Sequence, residues 1–355
     1  MRTQPQEVIA KLEADNSRLA KEKILLDAMN EGLDEFFEGL KMCLDKLYTF
    51  GVKQVPTKDE VVAGQGCPWN VFKDLAEKLY NRELTGHNAR DAINLVMSSA
   101  TAEQWNGFYR RILIKDLRCG VSEKTVNSVA KKNKFGKYMV PVFTCQLAHD
   151  SANHEKKLVG EKMLEVKLDG VRTLAIVHPD GKVDMLSRNG KEFTNFGHIQ
   201  DEISAVVKQD PPPYPLVLDG EVMSENFQDL MKQVHRKGSA DAKDAVLHLF
   251  DFIPLEEFKK GKWDKTQTLR TAMLKAWYQK HETNLNAVRV LDHEIVNLDT
   301  PEGQKTYTEV NKRAVEGGYE GIMIKDLNAP YECKRSHAWL KLKPFIEVSL
   351  EIKAT

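Results

Sequence analysis

One change of hydrophobic period constrains this chain more than any other feature. Near residue 140 a helical spacing gives way to short strand-like runs. Between 5 and 50, Leu12, Leu19, Leu25, Leu26, Met29, Leu33, Phe36, Phe37, Leu40 and Leu44 recur at roughly helical intervals among Lys and Glu. Gly51 and Pro56 interrupt that pattern, and it returns over 70–82, 87–99 and 102–117. In the last stretch Trp105, Phe108, Ile112 and Leu113 form an apolar stripe that reads as core. From 161 onward, short apolar runs alternate with turn signals. MLEVK (163–167), RTLAIVH (172–178), KVDMLS (182–187), LVLDGEV (216–222), VLHLFDF (246–252), GIMIK (321–325) and WLKLK (339–343) read as strands. Pro179-Asp180-Gly181 is a hairpin turn, because Pro presets φ and Gly supplies positive φ. The stretches 269–281 and 303–318 read as helices, the second stopped by Gly317-Gly318.

The predicted architecture is therefore an all-helical domain over 1–140 and an α+β domain with antiparallel sheets over 141–345. The alternation EVSLEIK at 347–353 reads as the first strand of a further domain, placed at 346–355. No run approaches 18 apolar residues, so no membrane-spanning helix is expected, and MRTQPQEVIAKLEADN has no apolar secretory core. Cys43, Cys67, Cys119, Cys145 and Cys333 are scattered with no CxxC pair. That speaks against a disulfide scaffold or a cysteine-built zinc site and for a reducing cytosol. The ten histidines show no ligand spacing, and His337 in Arg-Ser-His reads as a turn or phosphate-proximal residue.

Net charge is zero, 52 Lys+Arg against 52 Asp+Glu, but the charges are unevenly placed. Residues 101–140 carry nine Lys/Arg, including Lys115, Arg118 and Lys124, against three acids. Such a run is either a solvated helical face or a phosphate-binding one.

The densest chemical signal is Lys167-Leu168-Asp169-Gly170-Val171-Arg172 at the end of a strand. Alone, K-x-D-G also fits a hairpin turn with a surface lysine. Ser187-Arg188-Asn189-Gly190, Leu218-Asp219-Gly220-Glu221, Glu320 through Lys325, and Trp339 through Lys343 accompany it. Structural salt bridges explain one such pair but not five sets in sequence. Lys167, Arg172, Lys341 and Lys343 with Glu221 and Glu320 in one cleft suit a polyphosphate and a divalent cation.

The order KLDGVR, SRNG, LDGEV, LFDF, EGIMIK, WLKLK resembles the motif series of ATP-dependent DNA ligases in the covalent nucleotidyltransferase superfamily. RRILIKDLRCGVSEKTVN (110–127) is similar to the helical DNA-binding domain of replicative and end-joining ligases. NRELTGHNARDAI (81–93) is similar to ligases of T-even-type phages, and YECKRSHAWLKLK to the eukaryotic stretch. The resemblance implies a helical DNA-binding domain, an ATP-grasp-like nucleotidyltransferase domain, and an OB-fold that the chain stops short of. It implies that Lys167 is the nucleophile, forming a lysyl-adenylate from ATP. Arg172 would bind ribose or phosphate, and Arg188 the adenylate or the nick 5′-phosphate. Phe250 would stack on adenine with Glu165 at its edge. Lys325, Lys341 and Lys343 would stabilise the transferring phosphate, and Glu221 and Glu320 would hold Mg²⁺ or the ribose. Asp169 and Asp219 are expected to bond turn amides. Lys115, Arg118 and Lys124 would contact DNA phosphates.

The implied function is sealing of nicked duplex DNA by a monomer in a phage or bacterial cytosol, or in a nucleus if the source is eukaryotic. The competing readings are an RNA ligase, a capping-type guanylyltransferase, or a non-catalytic module that binds nicked DNA.

Overall fold

The computed structural model describes residues 1–60, 64–225 and 242–344. The residues expected to begin a further domain, 346–355, lie outside the described ones. The chain divides into Met1–Phe143 and Thr144–Thr355.

The first unit is helical, with α1 (Pro5–Ala14), α2 (Arg18–Glu31), α3 (Asp34–Leu44), α4 (Trp69–Tyr80), α5 (Gly86–Ser99), α6 (Ala102–Gln104), α7 (Arg110–Leu113) and α8 (Glu123–Lys132). Where a single helix was predicted over 102–117, a π-helical segment, Trp105–Tyr109, lies between α6 and α7. Trp105, Phe108 and Ile112 are buried as predicted. Phe36 and Phe37 on α3 and Phe72 on α4 complete the aromatic centre, Phe72 stacking on Tyr109 at 4.3 Å.

Three lysines in this unit turn inward and bind backbone carbonyls. Lys21 donates to Leu12 O at 2.8 Å and to Cys119 O at 2.5 Å. Lys58 donates to the carbonyls of Met97, Ser98 and Ala100 at 2.5–3.0 Å, at the end of α5. Lys115 donates to those of Met42, Asp45 and Tyr48 at 2.5–2.7 Å, at the end of α3. The last carbonyls of a helix have no partner inside it and carry the negative end of its dipole, so a cation is a fitting cap.

The second unit contains β1 (Leu147–Asp150), β2 (Glu161–Lys167), β3 (Val171–Val177), β4 (Val183–Ser187), β5 (Leu216–Met223), β6 (Val246–Pro254), β7 (Lys262–Trp263), β8 (Val288–Val290), β9 (Glu294–Asn297), β10 (Gly321–Asp326), β11 (Tyr331–Glu332) and β12 (Arg335–Leu342). One five-stranded sheet has the order β1-β12-β10-β2-β9 and another β4-β3-β5-β6-β8. The expectation of antiparallel sheets needs correction. β1 pairs with β12, and β6 with β8, in parallel, so both sheets are mixed. Each parallel pair joins segments far apart in sequence, a relation that local spacing cannot reveal. The predicted hairpins are present, with Gly181 at φ 92° and Gly190 at φ 81°.

Period two sorts each strand into a core face and a site face. Leu164 on β2, Ile322 and Ile324 on β10 and Leu340 on β12 are buried with Val310 and Ala314 of helix Pro301–Glu316. The opposite faces of these strands carry Glu165 and Lys167, Met323 and Lys325, and Trp339 and Lys341. The other sheet packs helices Gly197–Gln209 and Gln267–His281. Among the described residues, no helix is long and apolar enough to cross a membrane.

Candidate active site

Residues from both sheets line one cavity: Glu165 and Lys167, Arg172 and Glu221, Phe250, Met323 and Lys325, and Trp339 and Lys341, with Arg188 from the turn after β4. The structure thus brings together nearly all the residues singled out in the sequence. Glu320 and Lys343 join through Lys167. The Glu320 carboxylate takes one ammonium on each oxygen, Lys167 on Oε2 and Lys343 on Oε1. Burial opposes the charge on Glu320, but the hydrogen bonds from Lys167 and Lys343 prevail and hold its carboxyl below the usual range. Burial and the neighbouring Lys343 and Lys167 charges push Lys341 down.

A second ion pair is sealed in the floor. Lys325 Nζ lies 2.8 Å from Glu165 Oε2, with the two side chains 1% and 3% exposed. The ammonium also lies 4.7 Å from the Phe250 ring centre and 4.5 Å from that of Trp339. Burial pushes the Glu165 carboxyl up despite Lys325. Glu165 therefore sits beside the aromatic wall but is already engaged by a cation.

Arg172 faces the same wall, 5.2 Å from the Phe250 ring centre. Its Nε and one terminal nitrogen form a fork onto the fully buried Asp219 carboxylate at 2.6 and 2.7 Å. That nitrogen also donates to Gln146 O at 3.0 Å, and Tyr331 Oη donates to Asp219 at 2.7 Å. Asp219 was expected to bond turn amides. It lies instead mid-strand as the anchor of Arg172, in a geometry that fixes the guanidinium plane.

Phe250 reaches the cavity through a β-bulge. Asp219 pairs with Asp251 and Gly220 with Leu249, so Phe250 is the extra residue on β6. Gly220 permits this close pairing, since a Cβ there would lie 2.4 Å from His248 O. A second irregularity serves the other aromatic. Ala148 pairs with Ser336 but His149 with Leu340, leaving His337, Ala338 and Trp339 bulged on β12. Trp339 meets Phe250 edge to face at 5.7 Å, and its Nε1 donates to Gln267 at 2.8 Å. Sequence reading had Trp339 only as part of a strand. The period-two relation to Lys341 was the signal for its place in the cavity.

Glu221 is the cavity acid with most capacity to spare. Gly170 N donates to its Oε1 at 3.2 Å, and burial pushes its carboxyl up to about 7. Glu221 and Glu320 were expected to act alike. Glu221 suits a hard divalent cation, because a desolvated carboxylate gains most from one. Glu320, with both oxygens bound to ammonium groups, does not offer that site in this arrangement.

Among the candidate DNA contacts, Arg118 and Lys124 are exposed. Lys115 is a correction. Its ammonium is enclosed by the three carbonyls at the end of α3, with φ 58° at its own backbone, and is no phosphate ligand. Arg110 and Arg111 also turn inward, onto the carbonyls of Val55 and Asn106. The basic run is therefore smaller at the surface than in sequence. All five cysteines are free.

Residues 145–343 match the family described as ATP dependent DNA ligase domain. A probable DNA ligase of Rhodococcus opacus is 30% identical over 210 residues, 56% of this chain and 37% of that protein. The DNA ligase of Enterobacteria phage T4 is 22% identical over 317 residues, covering 77% of this chain and 62% of that one. The chain thus spans about a third to three fifths of these relatives. A solved structure titled Pmar-Lig_PreS3 is 61% identical, with a TM-score of 0.61, and the match covers 97% of this chain and 79% of that one.

Proposed function

The chain belongs to the ATP-dependent DNA ligase domain family, and from that premise we propose that it seals nicks in duplex DNA through a lysyl-AMP intermediate. The observation that carries this reading is the position of Lys167. It stands at the end of β2 in one cavity with an aromatic wall, a spare acid and further cations.

Lys167 leaves Glu320, gives one proton to solvent and attacks the α-phosphorus of ATP, forming a P–N bond as the bond to pyrophosphate breaks. Lys341 and Lys343 face the departing charge, while Phe250 stacks on the base and Trp339 closes the wall beside it. Arg172, held by Asp219, offers a fixed cationic face to the ribose or phosphate. Lys325 balances Glu165 at the base edge. A Mg²⁺ ion held by Glu221 would supply charge neutralisation on the phosphates. The 5′-phosphate of the nick then takes AMP from Lys167, near Arg188. Attack by the 3′-hydroxyl forms the phosphodiester and releases AMP.

In the first unit, exposed Arg118, Lys124, Lys131, Lys132 and Lys134 are the contacts we assign to DNA phosphates. The chain acts as a monomer in the cytosol under this reading, in keeping with its free cysteines. The family match favours DNA ligation over RNA ligation or capping.

The test is mass spectrometry of the purified chain after ATP and Mg²⁺. One added AMP, discharged by nicked duplex DNA, is the expected result. No mass gain would overturn the nucleophile assignment. A gain discharged only by RNA would overturn the substrate assignment.

A further inference from the structure

The second unit gathers three imidazoles that nucleotide chemistry leaves unused. His149 is on β1, His154 lies between the short 3-10 turns Ser151–Asn153 and Glu155–Lys157, and His337 is on β12. His337 was expected in a turn or near phosphate. It lies instead in the β12 bulge, beside His149 and His154. Their ring centres are 4.4–4.6 Å apart, and His337 Nε2 lies 3.1 Å from His154 Nδ1. One nitrogen from each ring lies within 4.8 Å of the other two.

We propose that His149, His154 and His337 form a binding site for a divalent transition metal, with zinc as the best match. Tetrahedral zinc bonds nitrogen at about 2.0–2.1 Å, which places its ligand atoms about 3.3 Å apart. One pair here is already near that separation, and the ligand nitrogens of all three rings lie within 4.8 Å of one another. Three imidazoles prefer zinc, cobalt, nickel or copper, whereas magnesium prefers oxygen, so this site is chemically distinct from the one at Glu221. His337 is exposed, which leaves a fourth position for water or an anion. Arg335 and Lys157 line the same surface pocket as His149 and His337 and add positive charge there. They weaken cation binding and favour an anionic fourth ligand.

The location gives such a site a consequence. The bulge that carries His337 ends at Trp339, one of the two aromatic walls. A metal joining His149 to His337 pins β1 against that bulge. This inference stands whether or not the ligation chemistry is as proposed.

The experiment is titration of the chelator-stripped full chain with Co²⁺, read by visible absorption. A band saturating at one equivalent, displaced by Zn²⁺ and untouched by excess Mg²⁺, is expected. His149→Gln, His154→Gln and His337→Gln should each weaken binding at least about tenfold, with unchanged circular dichroism. As a second readout, Zn²⁺ should raise the Tm of the parent chain but not of His337→Gln, whose exposed position keeps the fold intact. No band, a stoichiometry other than one, or variants that bind like the parent would overturn the proposal. The last outcome would place the metal on other groups, such as the cysteines.

Discussion

The two units bury cations on opposite terms. In the first, Lys21, Lys58 and Lys115 direct their ammonium groups at backbone carbonyls. In the second, Lys325, Arg172 and Arg270 each meet a buried carboxylate, and Lys167 and Lys343 share one at the cavity mouth. A carbonyl cannot titrate or move away, so a lysine bound to it is fixed as part of the fold. A carboxylate can be protonated, drawn off by another cation or displaced by a phosphate. The second unit is thus the one whose charges can be rearranged by a ligand. Within it exposure grades the role: Glu165–Lys325 is sealed, whereas the Lys167 and Glu320 side chains are 19% and 23% exposed.

The largest effect expected from breaking this contrast is at Lys167. Lys167→Ala should abolish AMP attachment while leaving the unfolding curve unchanged. Lys167→Arg should do the same, because a guanidinium stays protonated. AMP labelling of either variant would assign the attack to another group.

The sealed pair comes next. Lys325→Met strands Glu165 and should cost the second unit about 3–5 kcal/mol in denaturant unfolding. Adding Glu165→Leu to it should restore most of that loss. If the double variant is no better than the single, the pair is not coupled as described.

Glu221 gives a pH signature. Its carboxyl is raised to about 7 by burial, so between about 4.5 and 7 the folded chain holds a proton that the unfolded chain has lost. Stability should therefore fall as pH rises through that window, by up to about 3 kcal/mol. Glu221→Gln should flatten the fall, and Mg²⁺ should reduce it in the parent chain. An identical pH profile in parent and Gln variant would contradict the assignment.

The first unit should respond more mildly. Lys58→Met and Lys115→Met leave carbonyls without a donor, at about 1–3 kcal/mol each. Lys115→Met should leave the salt dependence of DNA binding unchanged. Arg118→Ala and Lys124→Ala should each lower its log–log slope by about 0.9. A lowered slope in Lys115→Met, or an unchanged one in the other two, would reverse the surface assignment.

Much of this was legible beforehand. Alternation in MLEVK, GIMIK and WLKLK already placed Lys167, Lys325 and Lys341 on site faces, because a strand offers its side chains only two directions. What escaped depended on distance along the chain. The Arg172–Asp219 fork crosses two strands, and the histidine trio joins residues 149, 154 and 337. Lys115 looked like a surface charge because nothing local announces that three carbonyls around the end of α3 enclose it. Helix Gly197–Gln209 is the local exception, since Ile199, Ile203, Val206 and Val207 fall at helical spacing and are all buried.

The bulge at Phe250 bears on how length variation can enter such a domain. Insertions and deletions ordinarily belong in loops, since one residue gained or lost inside a strand turns every later side chain to the wrong face. Phe250 is the exception, because Asp219 and Gly220 already pair with the residues on either side of it. Deleting it would leave β6 in an unbroken ladder with Leu249 and Asp251 still matched to the same partners. A single lost codon here would remove a wall of the cavity while the sheet closed behind it, giving a chain with its fold intact and its candidate site open on one side.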